Sequence, residues 1–298
     1  MHKDFHDIFA TPGGERQLKY EGEIDNGRWT NGRLVDDSGE FICDVTDSVP
    51  HIAGGKADPW GDDKQVEEHL KRLNSTRDKV IEANFDNMVN NWPPKPDFIT
   101  QLTEIANGEG PVLEIACGPG GGFTPLLVEA NADVSLLMID LGRWLLGEWH
   151  KFSRQKNWSR LSVAQADPAN LPIRSETFAA AVNFGGMSNL PSQAKALKEA
   201  HRILRPGGKL FMIDARPDPS GFRKLPGEEK ERLSAKFPNI GKSLDQSLNE
   251  AGFFQGTFEE TGRRPLPSGT VNAPQRRGHG GRTKGGMDVV FCRVLAVK

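Results

Sequence analysis

Apolar positions recur in two rhythms along this chain, and the change of rhythm divides it. From Asp62 the spacing is helical: Val66, Leu70 and Leu73 form one stripe and Val80, Ile81, Phe85, Met88 and Val89 a second. Trp92-Pro93-Pro94-Lys95-Pro96 then ends the pattern by removing the donors a helix needs. Beyond it, short and largely apolar runs alternate with further helical stripes. The runs are Val112–Ile115, Val134–Ile139, Ser162–Ala166, Phe178–Phe184 and Lys209–Asp214, and a strand buried on both faces reads this way. Between them lie Phe123, Leu126, Leu127 and Ala130, then Leu141, Trp144, Leu145, Trp149 and Phe152, then a helix after Ser192 that ends at Arg205-Pro206-Gly207-Gly208. A last helix stopped by Gly252 leads into Phe253–Glu259 and Met287–Val297. Strands alternating with helices of this length predict a parallel sheet covered on both faces, closed by two further strands.

Val112–Ile115 runs directly into Ala116-Cys117-Gly118-Pro119-Gly120-Gly121-Gly122-Phe123. Glycines at such a strand end let backbone pass close to a small ligand. In open α/β sheets ligands bind at the carboxyl ends of the strands, and Asp140 stands at the next one, about 20 residues on, where a carboxylate can accept ribose hydroxyls. Both a dinucleotide and another adenosine-bearing cofactor fit these features. The dinucleotide fingerprint wants a glycine at the sixth place of the loop, and counted from Gly118 that place holds Phe123.

Read from Glu114, the stretch Glu114-x-Ala116-x-Gly118-x-Gly120 resembles the first motif of class I S-adenosylmethionine-dependent methyltransferases, with Ala116 where that family most often has glycine. Ala166-Asp167-Pro168-Ala169-Asn170-Leu171-Pro172-Ile173 resembles the family's third strand end. The segment from Asn183-Phe184-Gly185-Gly186-Met187 to Arg205-Pro206-Gly207-Gly208-Lys209-Leu210 is similar to the ubiquinone/menaquinone-biosynthesis C-methyltransferases and their small-molecule relatives. The likeness covers about residues 110 to 215. It implies a doubly wound, mostly parallel seven-stranded Rossmann-like sheet of the α/β class. It also implies S-adenosyl-L-methionine lying across Glu114, Ala116, Gly118 and Gly120, with ribose on Asp140 and Leu141 and adenine near Asp167 and Pro168. Asn183 and Phe184 then lie where cofactor and substrate meet. The domain division expected is a small β module over 1–57, a helical cap over 58–108 and a methyltransferase domain over 109–298. The module resembles the metal-binding ribbons that precede some methyltransferase domains, without their paired cysteines.

Composition narrows the rest. A chain of 298 residues with 36% hydrophobic residues has ample length for one catalytic domain plus additions. No apolar run approaches the roughly 20 residues that span a bilayer, and the first residues lack a secretory layout, so a cytoplasmic location is expected. Cys43, Cys117 and Cys292 are too scattered for a disulfide framework or a zinc site, and no metal is expected. Cys117 lacks an activating partner in sequence. His150 is the candidate for a base, and no other catalytic residue is indicated.

A net charge of -2 gives no global pull toward nucleic acid. A Gly/Arg-rich loop at 262–286, with Arg263, Arg264, Arg276, Arg277, Arg282 and Lys284, joins the last two strands and is far longer than a hairpin needs. It keeps RNA open as an acceptor behind a small molecule. A NAD-binding or catalytically silent nucleotide-binding module is the alternative from another class. The acceptor and the oligomeric state are not written in the sequence.

Overall fold

The computed structural model describes residues 1–52, 58, 62–91, 96–119, 122–187, 190, 192–236, 239–240, 244–265 and 288–298. The chain opens with β1 (Lys19–Asp25), β2 (Arg28–Val35), β3 (Phe41–Thr46) and β4 (Val49–Ile52). Three helices follow, α1 (Asp63–Leu73), α2 (Val80–Asn91) and α3 (Pro96–Ala106). The alternating region then runs β5 (Val112–Ile115), α4 (Thr124–Ala130), β6 (Leu136–Asp140), α5 (Arg143–Gln155), β7 (Leu161–Ala166), β8 (Phe178–Phe184), α6 (Gln193–Ile203) and β9 (Leu204–Pro217). It is completed by α7 (Pro219–Arg223), α8 (Gly227–Lys236), α9 (Leu244–Ala251), β10 (Gln255–Pro265) and β11 (Asp288–Val297).

Among the described residues, eleven strands form one sheet in the order β1-β2-β3-β4-β7-β6-β5-β8-β9-β11-β10. Strands β4, β7, β6, β5, β8 and β9 run parallel, while β1 to β4 at one end and β9, β11 and β10 at the other are antiparallel. This mixed sheet is larger than the seven-stranded, mostly parallel one expected from the sequence. The cause is β4, whose His51 and Ile52 pair in parallel with Gln165 and Ala166 of β7 and so join the N-terminal strands to the main sheet. The chain order reverses on either side of β5, which has β6 as one neighbour and β8 as the other.

Successive side chains of a strand point to opposite faces, and the two faces hold separate cores. Along β9, Leu210 and Met212 join Leu197, Ala200, Leu248 and Phe253 on the face of α6 and α9, together with Phe5, Phe9 and Trp29. Phe211 and Ile213 join Phe98, Leu102, Leu127 and Trp149 on the other face, where Val80 and Ile81 of α2 also pack. The helical segment between the N-terminal strands and β5 therefore covers one face of the sheet.

Two boundaries differ from the sequence pattern. Strand β9 starts at Leu204, straight from α6, because Leu204 pairs with Phe178 and the ladder with β11 continues from Lys209 to Pro217. Strand β10 runs on to Pro265, so Gly262, Arg263, Arg264 and Pro265 are paired with β11 rather than part of a loop. The Arg263 guanidinium lies 2.8 Å from both Asp218 and Glu260 carboxylate oxygens. Residues 266–287, the rest of the expected basic loop, lie outside the described residues, as does Gly120.

Candidate functional site

In a four-residue strand whose Val112, Leu113 and Ile115 are fully buried, Glu114 is a carboxyl placed among hydrocarbon. Its oxygens explain its presence. One accepts the Phe123 N–H at 2.8 Å, and the other accepts the Thr124 N–H at 2.9 Å and the Thr124 hydroxyl. These are donors at the start of α4 that have no partner within the helix. The side chain thus reaches from strand to helix and fixes both ends of the glycine loop. Burial pushes its pKa up to about 8, opposed by those three hydrogen bonds. Gly122 makes the reach possible: its φ is +41°, and a Cβ there would lie 2.3 Å from Glu114 Oε1 and 2.8 Å from the Phe184 Cβ.

Ala116 and Gly118 shape the open side of the loop. Both have left-handed backbone, with φ of 51° and 58°, which costs an ordinary residue about 1–2 kcal/mol and is why glycine is common there. Among the described residues nothing lies within 4 Å of where a Gly118 Cβ would stand, so backbone is bare on that side. The Gly118 N–H donates to Asp140 Oδ2 at 3.0 Å, and the Gly142 N–H donates to Asp140 Oδ1 at 2.9 Å. One carboxylate therefore ties the glycine loop to the turn after β6. Each oxygen keeps a further acceptor position. Burial raises the Asp140 pKa, and the N–H groups of Gly142 and Gly118 counter it.

The remaining expected residues divide by role. At the end of β7, Asp167 turns the chain by accepting the Ala169 N–H at 2.9 Å, and Pro168 is buried beneath it. Leu141 directs its carbonyl to the Gln165 side-chain amide at 2.8 Å. Asn183 is fully buried; its amide donates to the Ile115 carbonyl at 2.7 Å and its oxygen accepts the Met187 N–H at 3.0 Å. Asn183 thereby holds the ends of β5 and β8 together. Phe184 meets Phe123 edge-on, with ring centroids 5.3 Å apart.

His150 stands apart. Burial holds its imidazole down to about 4, helped by the positive charges of the Met1 amino group, Arg28 and Arg154. All of these lie on the N-terminal segment or on α5, and His150 is neutral at pH 7. The Cys117 thiol is buried, and burial together with the Asp140 and Glu114 carboxyls raises its pKa well above the usual value. It stays a thiol.

Three residues of this region escape a sequence reading. Trp149 is fully buried and its indole N–H donates to the Gly118 carbonyl at 3.1 Å, so it supports the loop as well as packing the core. Gln165 was visible only as the one amide in an apolar run. His51, 3.2 Å from the Gln165 oxygen, had no signal at all.

Residues 112–208 match the family profile described as "Methyltransferase domain". The chain carries a class I S-adenosylmethionine-dependent methyltransferase domain. It is 25% identical over 146 residues to a demethylmenaquinone methyltransferase of Lactobacillus johnsonii, covering 49% of this chain and 59% of the relative. To a ubiquinone/menaquinone biosynthesis C-methyltransferase of Rhodopseudomonas palustris it is 27% identical over 179 residues, covering 59% of this chain and 64% of the relative. The chain thus spans about three fifths of the length of these curated relatives. A solved structure of phosphoethanolamine N-methyltransferase 2 from Haemonchus contortus, in complex with S-adenosyl-L-methionine, superposes with a TM-score of 0.53 at 14% identity, covering 99% of this chain and 72% of that one. That likeness is one of fold. The glycine loop, Asp140, Asp167, Asn183 and Phe184 all fall inside the span of the methyltransferase domain. No helix among the described residues is long and apolar enough to cross a membrane.

Proposed function

We propose that this chain binds S-adenosyl-L-methionine along Glu114, Ala116 and Gly118 and transfers its methyl group to a small-molecule acceptor. The observation that carries the reading is Asp140: its carboxylate receives Gly118 N–H and Gly142 N–H on opposite oxygens, leaving both able to accept a vicinal pair of ribose hydroxyls. Gly120, in the same motif, is part of the proposed site. Leu141, Asp167 and Pro168 line the adenine end, with the Asp167 carboxylate as acceptor for an exocyclic amine. Asn183 and Phe184 bound the methionine end, where the acceptor approaches. The small-molecule class rests on the relatives, whose names specify quinone precursors. The seven strands from β5 onward, in the order β7-β6-β5-β8-β9-β11-β10, form the methyltransferase sheet on this reading, and β1 to β4 are an addition to it.

When bound, the cofactor supplies a methyl group on a sulfonium, which is already an activated leaving group. The protein's contribution is then placement. Glu114 and Trp149 hold the loop from below and Asp140 holds it from the side, so the bare backbone at Gly118 has one position. Holding reactants in line in this way supplies about 7–11 kcal/mol of a two-body barrier. No side chain is assigned to remove a proton, and burial leaves His150 weakly basic.

Incubating the protein with methyl-labelled cofactor and a cell extract split into metabolite and RNA fractions tests the acceptor class. Label is expected in the metabolite fraction, and label confined to RNA would contradict the proposal. A thermal shift with S-adenosylhomocysteine and none with NAD is expected in the same preparation.

A further inference from the structure

The turn that carries Asp140 is held by one residue inside the methyltransferase domain, itself bonded to an N-terminal strand, and by one residue outside it. Gln165, on β7, is buried and donates its amide N–H to the Leu141 carbonyl at 2.8 Å. A carbonyl can only accept, so this contact fixes the amide's orientation and leaves Oε1 turned toward His51. The His51 Nδ1, 3.2 Å away, must therefore carry the proton and donate. His51 belongs to β4, the strand that joins the N-terminal sheet to β7, and its pairing partner in that ladder is Gln165 itself. On the other side of the turn, Asp58 accepts the Arg143 N–H at 2.9 Å. That N–H opens α5, whose N-cap residue Gly142 has no side chain to satisfy it.

Gly142 lies between these two contacts, and its N–H donates to Asp140. Gln165, bonded to His51, and Asp58 thus hold the two flanks of the turn that aims the carboxylate. We infer that the N-terminal strands are a working part of the cofactor site: His51, through Gln165, and Asp58 are positioning residues for the ribose-binding Asp140. The inference rests on the cofactor reading given above. It also gives β4 a purpose that burial alone does not require, since a core is served equally by an apolar side chain at 51 or 165. A buried amide and a half-buried imidazole are costly unless each is bonded, and here each is.

The test is calorimetric binding of S-adenosylhomocysteine to the full chain and to five variants. Gln165→Leu keeps the side-chain volume and removes both contacts, leaving the Leu141 carbonyl without its donor; a rise in Kd of about tenfold is expected. Asp58→Ala, at a half-buried site, is expected to raise Kd about threefold, the weaker effect of one lost cap. Two conservative changes separate positioning from bulk: His51→Gln keeps an N–H donor and Asp58→Asn keeps an acceptor oxygen. Each is expected to bind more tightly than His51→Leu or Asp58→Ala respectively. A purely structural role would lower the melting temperature of the variants while the folded protein bound with unchanged Kd, and that result overturns the inference. Wild-type protein that fails to bind S-adenosylhomocysteine would overturn the cofactor reading and this inference with it; wild-type binding matched by Asp58→Ala and Gln165→Leu would overturn this inference alone.

Discussion

At Glu114, burial and hydrogen bonding pull the carboxyl in opposite directions, and the balance makes the fold sensitive to pH. Its folded pKa of about 8 lies above the 4.5 of the free group, so between those values the folded chain holds a proton that the unfolded chain has released. This contribution is full below about pH 4.5 and is lost as pH rises toward 8. Denaturant titrations across that range should show stability falling with pH for the wild type, and Glu114→Gln should lack this part of the slope. At fixed pH, Glu114→Gln is also expected to cost about 1–3 kcal/mol, since an amide NH2 must then face either the Phe123 or the Thr124 N–H. A variant as stable as wild type, with the same pH slope, would remove Glu114 from its role in the loop. The sequence marks Glu114 as an acid in an apolar strand. It does not show that the acid points at a helix terminus, because that depends on Gly122 being short enough to let it pass.

At the scale of elements, the described ends of the glycine loop are held by three others: β5 through Glu114, β6 through Asp140 and α5 through Trp149. Gly122→Ala tests the first, since a methyl would collide with Glu114 Oε1 and stand on left-handed backbone. Loss of more than about 2 kcal/mol of stability is expected, from a displaced buried polar group and from strain. A melting temperature unchanged by the methyl would show the loop to be loose. The parallel strands were legible in the sequence because burial on both faces makes them apolar throughout. The loop and Asp140 were legible because glycine and acid stand at successive strand ends. β1 was not, since Tyr20 is its one shielded side chain and the rest are exposed, leaving no alternation to see. Nor was β4, four residues containing Pro50, whose pairing with β7 crosses more than a hundred positions and leaves no local mark. The support that His51 gives to Leu141 was hidden for the same reason.

For the whole molecule, the N-terminal strands and the methyltransferase domain share one core. Phe5, Phe9, Trp29 and Leu34 pack in the same cluster as Leu113, Ile115, Ala164 and Ala166, and the sheet runs unbroken from β4 to β7. Removing residues 1–61 would expose that face and the edge of β7, so the remainder is not expected to fold as an independent unit. Scanning calorimetry of the full chain should show a single cooperative transition; two separable transitions would make the N-terminal strands an independent domain. A single transition would make the division into module, cap and domain one of sequence and not of folding.

The central claim is that the Asp140 carboxylate holds the ribose of an S-adenosylmethionine cofactor, and isothermal calorimetry with S-adenosylhomocysteine measures this most directly. Asp140→Ala removes the acceptor for two loop donors and for the ligand. Charge-assisted hydrogen bonds are worth about 1.5–3 kcal/mol each, so the expected result is wild-type binding and a Kd raised at least tenfold in the variant. Equal affinity in the two proteins would take Asp140 out of the site, and binding of NAD in place of S-adenosylhomocysteine would contradict the claim outright.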